Sequence, residues 1–341
     1  MNFPFQQSDL THFFQLVDAA KRIVVVAHKS PDGDSIGSTC AMRHFLNSYD
    51  PEKEVFVCHP DPSPSFLSWA DPDRSLLNFQ EHKESVQEAF GSSDLIICMD
   101  FNDFSRMGND MKPLLEEASA KKVMIDHHLN PNLTQFDLSF SFPDRSSTCE
   151  LFLEIIIAAG LRNLLNPNFS ACLYLGIVTD TGSFRYNSVR SETHELVAIL
   201  LKSGLNHTEV HEETFDDNSL ERIRLRSFIL SNCLDVWEDL NAAVMYLSET
   251  DARRLNMKKG DTEGLVNVAL SMRGISRAAL FKEEDGYIRI SFRSKSNVAV
   301  NTIAEQHFQG GGHKQAAGGR FDGDLSSAMA KFKYILEHEV H

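Results

Sequence analysis

The sequence predicts an α/β protein in which a parallel-sheet domain, a connecting helix and a smaller α/β domain come one after another, with a cleft between the two domains. Three observations predict it. Short apolar runs such as Ile23–Ala27 and Leu95–Met99 alternate with longer helical stretches through residues 1–205, the signature of strands joined by helical crossovers. Residues 206–234 are polar and helical in pattern. From 235 to 341, closely spaced strands and a turn at Glu284-Asp285-Gly286 mark a second sheet. At 341 residues the chain exceeds one ordinary core, so two domains are expected.

In chain order, Ser8 is expected to cap a first helix with Leu10, Phe13, Phe14 and Val17 on its apolar face, leading into the strand Ile23–Ala27. The polar loop from His28 to Asp34 comes next. Ser35–Asn47 then reads as a helix, and Glu54–Cys58 as a strand. Pro60, Pro62, Pro64 and Pro72 keep the next stretch irregular. A helix over Glu81–Phe90 precedes the buried strand that ends in Asp100. Lys112–Ala120 reads as a helix, and Lys122–Ile125 as a strand running into Asp126-His127-His128. Ser147-Thr148-Cys149-Glu150 is a capping box opening a helix through Ala159. Ser170–Val178 is apolar and ends in Thr179-Asp180-Thr181-Gly182, which we take as a fourth acidic strand end. A helix over Glu192–Lys202 closes the first domain. In the second, Ala242–Leu247, Ser276–Phe281 and Tyr287–Phe292 read as strands, and Leu325–His338 as a closing helix.

The strand ends collect His28, Asp32, Asp34, Asp100, His127 and Asp180. Parallel strands end side by side, so these groups should converge at the ligand-binding edge of the sheet. So many carboxylates in one place would raise their pKa values or push the loops apart unless cations were present. A helix cap accounts for one such acid but poorly for four. Two divalent ions resolve the conflict. Carboxylates with imidazole and no thiolate suit manganese first; Co2+, Fe2+ and Zn2+ also fit, and Mg2+ is less favoured by nitrogen ligands.

The formal net charge of −15 argues against a surface for duplex DNA. The six cysteines form no C-x-x-C pair, the N-terminus lacks the marks of a signal peptide, and no apolar run is long enough to span a membrane. A cytoplasmic protein is expected, and a homodimer is compatible with the sequence.

Four motifs, Ala27-His28-Lys29-Ser30-Pro31-Asp32-Gly33-Asp34, Met99-Asp100, Asp126-His127-His128 and Gly176-Ile177-Val178-Thr179-Asp180-Thr181-Gly182, agree in order and spacing with those of a known family. The chain resembles the DHH phosphoesterase superfamily. The resemblance implies one metal on His28, Asp32 and Asp100 and another on Asp34, Asp100, His127 and Asp180. It also implies that His128 faces the substrate, where an imidazole can bond a phosphoryl oxygen or pass a proton to the departing alkoxide. His128 and the shared Asp100 are therefore the catalytic candidates, and Asp126 is read as orienting an imidazole N–H. Arg106 is a candidate substrate contact, with a surface salt bridge as the alternative account.

Further on, Gly310-Gly311-Gly312-His313 through Gly319, with Ser291-Phe292-Arg293-Ser294, resembles the signature of the DHHA1 domain. Glycines let an anion approach main-chain N–H groups, and Arg can grip phosphate bidentately. Arg293, Ser294, Gly311, Gly312 and His313 are thus expected to bind substrate. Within the family, a compact two-domain chain resembles the nanoRNase and 3′-phosphoadenosine-5′-phosphate (pAp) phosphatase group. The resemblance therefore implies a two-metal hydrolysis at phosphorus, acting on short single-stranded RNA, dinucleotides and mononucleotide bisphosphates. Cyclic- or linear-dinucleotide phosphodiesterase and exopolyphosphatase are the alternatives, and a nucleotide sensor is the alternative without turnover.

Overall fold

A computed structural model describes residues 3–338 except 259, 285, 296 and 297; the side chain of His313 and the hairpin residue Asp285 lie outside the described residues. The chain divides into two compact units, Met1–Asp217 and Asn218–His341.

In the first unit, strands β1 (Arg22–Val26), β2 (Glu54–His59), β3 (Leu77–Asn78), β4 (Leu95–Met99), β5 (Lys121–Asp126) and β6 (Leu138–Ser141) form one parallel sheet in the order β3-β2-β1-β4-β5-β6. The helices are α1 (Gln7–Ala19), α2 (Gly33–Tyr49), α3 (Lys83–Ser92), α4 (Gly108–Glu117), α5 (Thr148–Ala158), α6 (Pro167–Asp180) and α7 (Ser191–Lys202). Ile23 and Val25 face an apolar layer shared with α1, α2, α5 and α6, while Val24 and Val26 face one shared with α3 and α4. Burial on both faces is why β1 reads as an unbroken apolar run. The strand order reverses between β1 and β4, which pair from Ile23↔Leu95 to Val26↔Cys98. Ligands of open α/β sheets bind beyond the carboxyl ends of the strands at such a reversal.

One expected strand is a helix. Residues 170–178 belong to α6, started by Asn166, whose side chain accepts from the Phe169 N–H at 3.0 Å, with Pro167 in the first turn. The helix is buried nearly all round, so its sequence carries no apolar stripe to set it apart from a buried strand. It lies close against α2. A Cβ on Gly37 would sit 2.6 Å from the Cys172 carbonyl oxygen, and one on Gly176 would strike the Asp34 carboxylate and the Cys149 thiol. The last residue of this helix is Asp180.

Smaller differences concern helix ends. Helix α1 begins before Ser8, at a Gln6 cap that makes no side-chain bond. At α5, Ser147 accepts from the Glu150 N–H as expected, but the Glu150 carboxylate turns back to Ser146, one residue before the cap. The short edge strands β3 and β6 carry too few residues to show a sequence period.

Between residues 206 and 234 the chain is helical in two pieces, α8 (His207–His211), continuing into one π turn over Glu212–Asp216, and α9 (Leu220–Asn232). The second unit holds β7 (Leu234–Trp237), β8 (Ala242–Leu247), β9 (Arg277–Glu284), β10 (Tyr287–Ser294), β11 (Gly311–His313) and β12 (Ala316–Phe321) in the order β11-β12-β10-β9-β8-β7. All pairs are antiparallel except β8 with β9. Helices α10 (Glu249–Arg254), α11 (Leu265–Leu270), α12 (Asn301–His307) and α13 (Leu325–His338) complete it. Phe281, Phe292, Phe308 and Phe332 pack together in its core. Among the described residues no helix is long and apolar enough to cross a membrane.

Candidate functional site

The loop after β1, the end of β4, the end of β5 and the end of α6 meet in one pocket. Asp32 caps α2, accepting from the Ser35 N–H at 3.0 Å, which places Asp34 in the first turn. The loop before the cap is held from both sides: the Ser30 N–H donates to Asp61 at 2.8 Å and the Lys29 N–H to the Arg106 carbonyl at 2.8 Å. Asp100 comes directly after β4 and adopts a left-handed backbone, φ +64°, anchored by its N–H on the Ile125 carbonyl.

Each candidate metal imidazole presents Nε2 to this pocket. His28 Nδ1 lies 2.8 Å from the Lys29 carbonyl oxygen and His127 Nδ1 lies 3.2 Å from that of Arg145. A carbonyl only accepts, so Nδ1 carries the proton in both rings and the Nε2 lone pair is left to coordinate. His28 Nε2 is 3.3 Å from Asp100 Oδ2 and 3.8 Å from Asp32. His127 Nε2 is 3.3 Å from Asp180, 3.6 Å from Asp100 Oδ1 and 3.7 Å from Asp34. Two donor groups result, His28 with Asp32 and Asp100, and His127 with Asp34 and Asp180; within each, the donor atoms lie within 4.8 Å of one another. Asp100 is 1% exposed and turns one oxygen toward each group.

Crowding on this scale governs the electrostatics. Burial, reinforced by Asp34 and Asp32, pushes the Asp100 carboxyl well above the usual carboxylate range. Burial and Asp34 push Asp180 up to about 7 even though His127 pulls the other way. Burial disfavours charge on His127, but Asp180, Asp34 and Asp100 outweigh it and raise its pKa well above the ordinary value. Hard oxygen donors, two imidazole lone pairs and unrelieved negative charge in one buried space fit divalent cations.

His128 also meets a three-member donor group, with Asp100 and His127. Its Nδ1, however, is 2.7 Å from Asp126, which also accepts from its backbone N–H at 2.8 Å. Burial works against the Asp126 charge, and His128 overcomes it and holds that carboxyl below its ordinary range. On the far side of the ring, Arg106 Nη2 lies 3.4 Å from His128 Nε2. Burial, with His127 and Arg106 nearby, depresses the His128 pKa although Asp126 pulls it the other way.

Several residues of the site are not foreshadowed by the sequence motifs. The N-terminus of α5 holds Asp34, through the Thr148 N–H at 2.6 Å and the Cys149 N–H at 3.0 Å, and Thr148 Oγ1 donates to Asp100 Oδ1 at 3.1 Å. Arg145, whose carbonyl fixes the His127 tautomer, is tied to Glu154 at 2.7 Å, and Arg190 bridges Glu154 and Glu150. The helix cap at 147–150 is the only sequence signal for this group.

In the second unit, Arg293 and Ser294 close β10. Arg293 pairs with Ala316, which also pairs with His313, and the Ser294 N–H donates to the Gln315 carbonyl at 3.0 Å. Gly311 and Gly312 pair with Gly318 and Ala317, so these four residues and the His313 backbone share one corner of the sheet. Arg293 Nη1 rests on the Phe292 carbonyl at 2.9 Å and Ser294 Oγ on that of Val298 at 2.6 Å.

Carboxylates and imidazoles gathered at the strand reversal of a parallel sheet, two of the rings fixed with Nε2 inward, define a candidate divalent-metal centre. The family described as "DHH family, N-terminal domain" matches residues 22–177, and "DHHA1 domain" matches 239–339. The chain belongs to the DHH/DHHA1 phosphoesterases, a family of metal-dependent hydrolases. It is 28% identical over 311 residues to the bifunctional oligoribonuclease and PAP phosphatase NrnA of Bacillus subtilis, covering 90% of this chain and 92% of that protein. The protein of the same name from Mycoplasma pneumoniae is 26% identical over 305 residues, covering 89% and 88%. The crystal structure of an exopolyphosphatase-related protein from Bacteroides fragilis superposes with a TM-score of 0.92 at 34% identity, covering 99% of this chain and 98% of that one.

Proposed function

We propose that this phosphoesterase hydrolyses short oligoribonucleotides to mononucleotides, and pAp to its monophosphate, with two divalent ions, Mn2+ foremost. The observation that carries the reading is the convergence of His28, Asp32, Asp34, Asp100, His127 and Asp180 from four separate elements. Similarity to NrnA along nearly the whole chain supports the substrate class. In this reading His28, Asp32 and Asp100 hold one ion, and Asp34, Asp100, His127 and Asp180 the other. When bound, the ions activate water and neutralise charge on the phosphoryl oxygens.

The protein's own groups do the rest. Asp126 keeps one His128 proton on Nδ1 and favours a second on Nε2, and the ring protonated at both nitrogens is the form that would donate to a phosphoryl oxygen or pass the Nε2 proton to the leaving oxygen, with Arg106 beside it to pair with phosphate oxygens. Arg293, Ser294, Gly311, Gly312 and His313 are the residues of the second unit proposed to bind substrate. Six buried free thiols suit a reducing cytoplasm.

The test is a turnover panel with Mn2+ on pApA, pAp, cyclic di-AMP, polyphosphate and pyrophosphate. Fastest release from pApA, with pAp also consumed, is expected. The name of the Bacteroides relative favours polyphosphate as the second reading, and turnover of polyphosphate alone would replace the first. Tight binding of pApA without product would make the protein a sensor.

A further inference from the structure

Asp100 belongs to one donor group through Oδ2 and turns Oδ1 toward His127 of the other, and the orientation of its carboxylate decides how the two oxygens are divided. The terminal torsion of an Asp side chain is broad, so an unheld carboxylate would swing between the groups. Thr148 holds it. Its side chain is fully buried, its hydroxyl donates to Asp100 Oδ1 at 3.1 Å, and its backbone N–H is spent on Asp34 at 2.6 Å. With the hydroxyl bond in place, Oδ1 stays on the His127 side, 3.6 Å from Nε2, and Oδ2 stays on the His28 side, 3.3 Å from Nε2.

The segment that presents Thr148 is itself firmly set. Ser147 caps α5, the Glu150 carboxylate accepts from the Ser146 N–H at 3.1 Å, and Arg145 is pinned to Glu154. Three separate holds on the pocket therefore issue from residues 145–149: the Arg145 carbonyl on His127, the Thr148 and Cys149 N–H groups on Asp34, and the Thr148 hydroxyl on Asp100. Only the last depends on the identity of a side chain.

We infer that Thr148 is a positioning residue that fixes the Asp100 carboxylate with Oδ1 on the His127 side and Oδ2 on the His28 side, so that loss of its hydroxyl bond to Oδ1 weakens ion binding on the His127 side. The inference rests on the proposed two-ion function and goes beyond it. Partners of this kind, which bond to a ligand without touching the metal, typically change affinity by about 10–100-fold when removed. Thr148→Val keeps the β-branched shape and both backbone bonds while deleting the hydroxyl.

Stepwise Mn2+ titration of the metal-free protein, monitored by calorimetry and by the electron paramagnetic resonance of free Mn2+, reads each ion separately. In Thr148→Val the ion on the His28 side should bind as in the wild type and the ion on the His127 side about 10–100-fold more weakly, with Thr148→Ser restoring both. Equal weakening of both steps, unaltered binding of both, or failure of serine to restore them would overturn the assignment. Should the valine variant not fold, the comparison of Thr148→Ala with Thr148→Ser carries the same outcomes. Wild-type protein that takes up fewer than two ions would overturn the metal reading first, and this inference with it.

Discussion

Gly176 sits in the middle of α6, where helix propensity alone favours alanine by about 1 kcal/mol. The surroundings reverse that preference. A Cβ at this position would strike Asp34 Oδ1 and the Cys149 thiol, and would lie 2.8 Å from Cys149 Cβ. Neither neighbour can yield, because Asp34 is held by two N–H bonds at the start of α5 and Cys149 belongs to that same turn. Relief requires α6 to back away from α2 and α5. Asp180, four residues on and so on the same face of the helix, would move with it. Overpacking of this kind costs about 1–3 kcal/mol, so the net loss after the propensity gain is roughly 0–2 kcal/mol. A displacement of about 1 Å at a reacting site costs on the order of 100-fold in rate. Gly176→Ala is therefore expected to be folded, slightly less stable, and about 100-fold less active, with weakened ion uptake. Thermal melting, Mn2+ titration and turnover of pApA measure the three quantities. Gly91→Ala serves as the control, since nothing lies within 4 Å of its added methyl. A Gly176→Ala protein that melts higher than wild type and turns over normally would refute the close-packing account of the pocket.

Asp100→Asn should abolish uptake at both ion sites and lower turnover by about three orders of magnitude or more, whereas two ions bound with normal affinity would remove the shared role of Asp100. The change in melting temperature of the metal-free protein from pH 6 to pH 8 should be less negative in Asp180→Asn than in the wild type. The Asp180 carboxyl is raised from its ordinary 3.8 to about 7, so its contribution to stability is complete below pH 3.8 and lost as pH rises through 7; His127, raised above 6.5, likewise loses its contribution on the alkaline side. Ion uptake runs the other way, weakening at least about tenfold from pH 8 to pH 6 as protons must be displaced, and a titration flat over that range would contradict both shifts. Arg293→Ala should raise KM by about tenfold while leaving bound metal unchanged, and unaltered kinetics on every short substrate would remove Arg293 from substrate binding.

The strand ends are legible because a buried parallel strand is apolar on both faces, so the first acid or imidazole after it marks the edge of the sheet. His28 and Asp100 announce themselves this way, and Asp32, Asp34 and His127 follow within a few residues of such an edge. Asp180 joins the same pocket by a different route, as the last residue of a helix whose all-round burial erases the 3.6-residue period. The Asn166-Pro167 pair is the local clue to its start. Thr148 stays hidden for another reason: its partners Asp34 and Asp100 are distant in sequence, and a capping motif already accounts for its position. Long-range hydrogen bonds leave no period to read. The glycine-rich stretch at 310–319 is visible as a motif, but its pairing with β10 through Ala316 is a property of the folded sheet.

The left-handed backbone at Asp100 carries a cost that falls on every other residue type to a different degree. Aspartate and asparagine visit that conformation more readily than most side chains, and glycine does so with no steric penalty. Exchange for glycine would thus relax the turn after β4 while erasing its carboxylate, whereas alanine would lose the carboxylate and keep the strain. The corner is conformationally most comfortable with glycine, which can do no chemistry there, so tolerance to substitution at this position and catalytic usefulness pull in opposite directions.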